Sequence, residues 1–354
     1  MTVNKKIGKV DEVARMLPDS IRRLCLALLL CAAAGAAAQA GAEAARRGDL
    51  DRTAEQLRAR LRREPGSPEA NLALAAVYLK MGRASLALEP ARRALAAAPD
   101  NFLARLTLAD ALLESRHGAE AQAQFAELAR SQPDRPEVWF GLARASLRRA
   151  KEAPERAEAG RQTAQTALER LLECPAPPAL RLQLAADVLS DAGQYPKAAE
   201  LLEQAAALEP ANGAVWLALG KARWHNVEFE RAQSALEKAL QLQAGDAEAC
   251  FLLGDLYARK DRPREALPLL ERSLALDPGA EAAHATLAKV YGQLGQPGRQ
   301  IAQLESIAPA RRTAAVWYQL YRACQRAGRA ADAQQALAQY KQKQKGNDTH
   351  ADEP

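Results

Sequence analysis

From residue 68 to 347 the apolar positions recur at the α-helical period, in paired blocks separated by short polar turns. Residues 247–280 show the plan. Cys250, Leu253, Gly254 and Tyr257 share one face of a first helix, Asp261 and Arg262 make a turn, and Ala266, Leu270 and Leu274 share one face of a second. Pro278 ends that helix, because proline cannot continue it and pushes the preceding residue toward extended backbone. The same punctuation returns along the chain. Pro65, Pro99 and Pro133 are spaced by 34 residues, and Pro210 and Pro278 by twice that, with Ala244 in the slot between. A fixed period of this size marks a stack of repeated helix pairs. The units are 68–101, 102–135, 136–178, 179–212, 213–246, 247–280, 281–313 and 314–347. A degenerate half-unit over 41–67 precedes them, with Gly48, Leu57, Leu61 and Pro65 in register. No run of alternating β-branched residues predicts a strand.

The stretch "VWLALGKARWHNVEFERAQSALEKALQL" places Trp216, Leu219 and Gly220 on the first helix and Ala232, Leu236 and Ala239 on the second. Trp139 and Trp317 take the slot of Trp216, and Tyr78, Tyr257 and Tyr291 share another. Ala75, Ala109, Ala143, Gly220, Gly254 and Ala288 share the slot of closest helix approach. This pattern resembles the tetratricopeptide repeat over essentially the whole chain after residue 40. The resemblance implies an all-α fold, a right-handed superhelical solenoid of antiparallel helix pairs, with the first helix (A) of each pair lining the concave side. Two departures carry expectations. Unit 136–178 holds about nine extra residues around "RRAKEAPERAEAGR", so its helix pair should be lengthened. Gln300 stands where helix B of other units has a small residue, so packing there should be looser.

The resemblance also implies a protein or peptide ligand in the concave groove. Projection of the A helices puts Leu72, Leu106 and Phe140 on one line and Leu79, Leu113 and Leu147 on a second. Leu217, Phe251 and Tyr318 continue the first line, and Trp224 the second. Large apolar residues on an open face mark binding; the competing reading is that neighbouring repeats or the lengthened helices of 136–178 cover them. The subtype that clamps carboxylates needs Asn and Lys or Arg at groove positions. Ala76, Asp110, Arg144 and Asp187 stand at the Asn positions and argue against it.

Charge and chemistry narrow the function classes. The net charge is +6, but the body is close to balanced: residues 1–40 carry six Lys/Arg and three Asp/Glu, and the remainder 43 and 40. Interleaved signs without a basic stripe argue against nucleic acid. Cys174, Cys250 and Cys324 sit singly, so no disulfide framework or zinc site is expected. His117, His225, His284 and His350 have no ligand partner at metal spacing, His284 falling in the Trp slot and His350 in a polar tail. No nucleophile elbow, phosphate loop or dinucleotide fingerprint occurs, and the repeats leave no room for a catalytic domain. The expectation is a protein that is not an enzyme and holds no cofactor or metal.

The N-terminus reads as an address. Arg22 and Arg23 precede about fifteen apolar or small residues, with Cys25 and Cys31 among them, and Ala38-Gln39-Ala40 follows. The plan is that of a secretory signal over 1–40, with Met16 as the start and Gly41 as the mature N-terminus; an uncleaved anchor, or an alanine-rich helix of the first repeat, is the alternative. Any membrane contact is expected through this segment alone. After Tyr340 the chain lacks large apolar residues, so "KQKQKGNDTHADEP" is expected to be disordered, 348–354 above all. The resulting expectation is an exported, periplasmic scaffold of an envelope machine for pilus, exopolysaccharide or outer-membrane assembly. A cytosolic chaperone or regulatory adaptor, or an accessory subunit of an enzyme complex, stands as the alternative.

Overall fold

The computed structural model describes residues 49–243 and 245–348, which are helical throughout with no strand among them. Residues 1–48, which include the segment expected to be a signal with its cysteines, Gly41 and Gly48, and residues 349–354 with His350 lie outside the described residues. The chain divides into two compact units, one ending at Arg262 and one beginning at Pro263.

The first unit opens with α1 (49–63). Five helix pairs follow: α2 (Pro68–Lys80) with α3 (Ala84–Ala97), α4 (Phe102–Glu114) with α5 (Gly118–Ser131), α6 (Pro136–Glu152) with α7 (Ala157–Glu173), α8 (Pro178–Asp191) with α9 (Tyr195–Leu208), and α10 (Gly213–His225) with α11 (Phe229–Leu242). The unit ends with α12 (Ala247–Arg259). Each even-numbered helix here is an A helix, and successive A helices pack against each other from α2 to α12. The second unit holds α13 (Pro263–Leu276), the pair α14 (Glu281–Gln293) and α15 (Pro297–Ser306), and the pair α16 (Ala314–Arg326) and α17 (Ala330–Asp348).

One local design starts and stops the A helices. Ser67, Asn101, Asn212, Asp246 and Thr313 cap their N-termini with side-chain oxygens that accept first-turn backbone N–H groups. At the other end one residue takes left-handed backbone: Gly82, Arg116, Gly193, Val227, Asp261, Gly295 and Gly328, with φ between 55° and 74°. The N–H after it bonds back five residues, as Glu228 does to Arg223 (2.9 Å) and Gln194 to Leu189 (2.8 Å). This is the Schellman motif, which satisfies orphan carbonyls and reverses the chain. Unit 136–178 lacks it. There α6 and α7 run 17 residues each, joined through a 3₁₀ turn at Pro154–Arg156.

The close-approach slot is fully buried at Ala75, Ala109, Ala143 and Ala288, and a Cβ added to Gly220 would lie 2.7 Å from Leu236 Cδ2. Two expectations need correction. Gln300 does not loosen its pair: it is buried, and its Oε1 accepts from Arg326 Nη2 at 2.7 Å. Room comes from Gly292, where a Cβ would meet Gln300 Nε2 at 3.0 Å. The disorder expected after Tyr340 does not begin there either, since α17 continues to Asp348. Its anchor lies upstream, where Ala333 and Ala336 are buried in the core with Trp317 and Leu320.

Candidate partner-binding face

The A-helix face of the first unit carries nine of the ten residues placed in the groove by sequence. Leu79, Leu106, Phe140 and Leu147 are half-buried, each packed with one flank on the core of α2 to α7. Leu72, Leu217 and Phe251 are also half-buried. Leu113 departs from the expectation: it is 2% exposed inside that core and offers a partner no surface. Trp224 is half-buried and held, its Nε1 donating to Asp255 Oδ2 at 3.2 Å with the Arg259 guanidinium over its ring at 5.1 Å. Tyr318 belongs to the second unit, where it is 42% exposed beside the rings of Tyr321 and Tyr340.

Beside the apolar line runs a charged one that sequence projection left unused. Asp110, Arg144, Asp187, Lys221 and Asp255 hold the same slot in α4, α6, α8, α10 and α12, so the sign alternates from repeat to repeat. Arg144 pairs with Glu114 at 3.3 Å and Asp191 at 2.8 Å while its guanidinium lies 5.3 Å from the Phe140 ring centroid. Lys221 pairs with Glu248 at 2.5 Å. Burial pushes the Asp110 carboxyl up to about 6, against the pull of Arg144 and with a further push from Glu114. Burial, then the neighbouring Asp191, likewise raise Asp187 against the weaker pull of Arg144 and Lys221. Partial burial and the charge of Lys221 lower His225, whose ring stacks on Tyr195 with centroids 4.7 Å apart. A cavity of about 450 Å³ opens beside Arg144, Asp187, Asp191 and Lys221, lined also by Phe140, Tyr195, His225, Leu202 and Ala218.

Chemically, this face offers apolar anchors beside half-buried carboxylates. No group of three or more His, Cys, Asp or Glu side chains suited to a metal ion occurs among the described residues, and Cys174, Cys250 and Cys324 are buried outside any disulfide.

One tetratricopeptide-repeat model matches residues 82–147, 189–249 and 258–318, and a second matches 38–102 and 226–281. The chain belongs to the tetratricopeptide repeat family. No curated protein matches it. Among solved structures, it is similar to a chain of the APC/C hetero-tetramer Cut9–Hcn1, at 20% identity and a TM-score of 0.53, over 74% of this chain and 50% of that one. The present chain thus spans half the length of that relative. A tetratricopeptide repeat protein from Parabacteroides merdae is similar at 16% identity and a TM-score of 0.53, over 69% of this chain and 93% of that one. At these identities the likeness concerns the fold. Tetratricopeptide arrays are surfaces for protein–protein interaction, and both units are built as such an array.

Proposed function

We propose that this protein is a non-enzymatic scaffold that holds a protein partner on the A-helix face of its first unit. The observation that carries the reading is the row of half-buried apolar side chains (Leu72, Leu106, Phe140, Leu217 and Phe251) at one slot of five of the six A helices from α2 to α12, broken only at Gln183 of α8. A short repeated element supplies one anchor per repeat, and a partner laid across several repeats collects them. The signal-like N-terminus supports an exported protein working in the periplasm, in assembly or secretion at the envelope.

Two experiments test the two halves. A photo-crosslinker placed at Leu217 or Phe251 in living cells should capture a partner, while one at Arg92 or Lys238 on B helices should not; capture from the B helices alone would overturn the site. Cell fractionation with mass spectrometry of the N-terminus should find the chain in the periplasm, beginning at Gly41. A cytosolic protein retaining residues 22–40 would favour the adaptor reading.

A further inference from the structure

We propose that this face selects a basic partner segment, with a lysine or arginine side chain entering the cavity beside Asp187 and an adjacent apolar side chain seated on Leu106 and Phe140. The proposal rests on the scaffold reading above and adds the chemistry of the partner.

Charge pairing decides the sign. Both cations that line the cavity are already engaged, Arg144 by Glu114 and Asp191 and Lys221 by Glu248. Asp110 and Asp187, the ladder carboxylates on either side of Arg144, make no hydrogen bond or ion pair within the described structure. Four carboxylates therefore surround one guanidinium, and Lys151 adds only a hydrogen bond to the Asp191 backbone carbonyl, at 3.1 Å. An incoming anion would compete with carboxylates already seated on Arg144 and Lys221. An incoming cation meets the Asp187 carboxylate, which makes no ion pair, beside the rings of Phe140, Tyr195 and His225, and ring faces attract cations electrostatically. Charge on the whole molecule does not create this preference, because the chain carries a net +6. A basic segment would be drawn to this face against the field of the rest of the protein.

The same groups set the pH response. Acidification protonates Asp110 and Asp187, whose carboxyls titrate above the ordinary range, and charges His225. The first change removes negative charge from the face and the second adds positive charge, so both remove attraction for a cation. Affinity for a basic segment should fall as the solution is acidified.

The test uses the full chain and fluorescein-labelled short peptides of alternating arginine and leucine, with glutamate and glutamine replacing arginine in matched controls. Anisotropy titrations at neutral pH should show the arginine peptide binding at least about tenfold more tightly than either control. Asp187→Asn, nearly isosteric, should lose about tenfold for the arginine peptide alone, with its melting temperature confirming the fold. Affinity of the wild-type chain should drop by a similar factor between about pH 7.5 and pH 5. Equal or tighter binding of the glutamate peptide, an unchanged affinity in Asp187→Asn, or tighter binding on acidification would each overturn the proposal. Binding of all three peptides, weakened alike by Phe140→Ala, would keep the scaffold reading and reject the charge preference. Binding of none would reject both. Free agmatine, added as a competitor, should displace the peptide only weakly; displacement at equal concentration would assign the cavity to a small cation instead.

Discussion

At the turn between repeats, Trp216 and Trp317 hold the same slot with different consequences. Trp216 Nε1 donates to the carbonyl of Pro210 at 2.9 Å, six residues upstream. Asn71, Arg105, Trp139 and His284 reach back the same six residues to Pro65, Pro99, Pro133 and Pro278. By sequence Trp216 and His284 share only a repeat slot; their common property is a donor with the reach to close a turn. Four different kinds of side chain, Asn, Arg, Trp and His, hide that common role from pattern matching. The unit before Trp317 is one residue shorter, its turn is wound into a 3₁₀ segment at Pro309–Arg311, and the buried indole N–H of Trp317 has no acceptor. Trp216→Phe should cost about 1 kcal/mol in chemical denaturation and Trp317→Phe distinctly less. Equal losses would show that the turn bond contributes nothing. Val227 offers the opposite case. It is β-branched, 68% exposed and held at φ 63°, where four sibling turns use glycine. Val227→Gly should raise stability by about 0.5–1 kcal/mol, read as an increase in melting temperature.

For the helices, what sequence made legible was the period and its punctuation. Prolines at 34-residue spacing and the small-residue slot located both helices of each unit, because they reflect backbone rules that hold in any context. The Schellman turns were less visible, since Arg116, Val227 and Asp261 occupy a conformation more usual for glycine. Leu113 was misjudged because helical projection alone does not say how deeply a flank sinks into the next pair. Gln300 was misjudged because its compensation lies on another helix, at Gly292. That pair yields a prediction. Gln300→Ala should destabilise by about 1–3 kcal/mol, by opening a gap and leaving the Arg326 guanidinium without its acceptor. Adding Gly292→Ala should return part of the loss by refilling that gap. A double-mutant cycle in denaturant with no coupling would show that the two positions do not share the space.

On the scale of the whole molecule, the sequence identified the array and its apolar face but not the charged ladder beside it. By sequence alone, Asp110, Arg144 and Asp187 stand only as departures from an asparagine clamp. Their alternation gains meaning once the A helices are seen to pack side by side. The ladder also has a cost in stability. Asp110 binds its proton more tightly in the folded chain, near 6, than at its ordinary 3.8. The contribution of Asp110 to folding is therefore most favourable below about pH 4 and is lost as pH rises through about 6. Asp110→Asn should stabilise the protein at pH 7 by about 1 kcal/mol or more and have little effect near pH 4. Thermal melts at the two pH values check this; the same gain at both would mean that the Asp110 titration is not the cause.

The alternating ladder also constrains how the gene can change length. Arrays of this kind grow and shrink by duplicating or excising repeats, and each repeat here is a near-interchangeable part as far as its helices are concerned. The charges are not interchangeable in that way, because their pattern recurs only every second repeat. Excising 136–178 alone would set Asp110 beside Asp187 in neighbouring repeats, and excising 179–212 would do the same to Arg144 and Lys221. Like charges in adjacent slots repel. Lineages that alter the array should therefore add or lose repeats two at a time, or reverse a charge at the new junction. The ladder works as a parity rule written across the repeats.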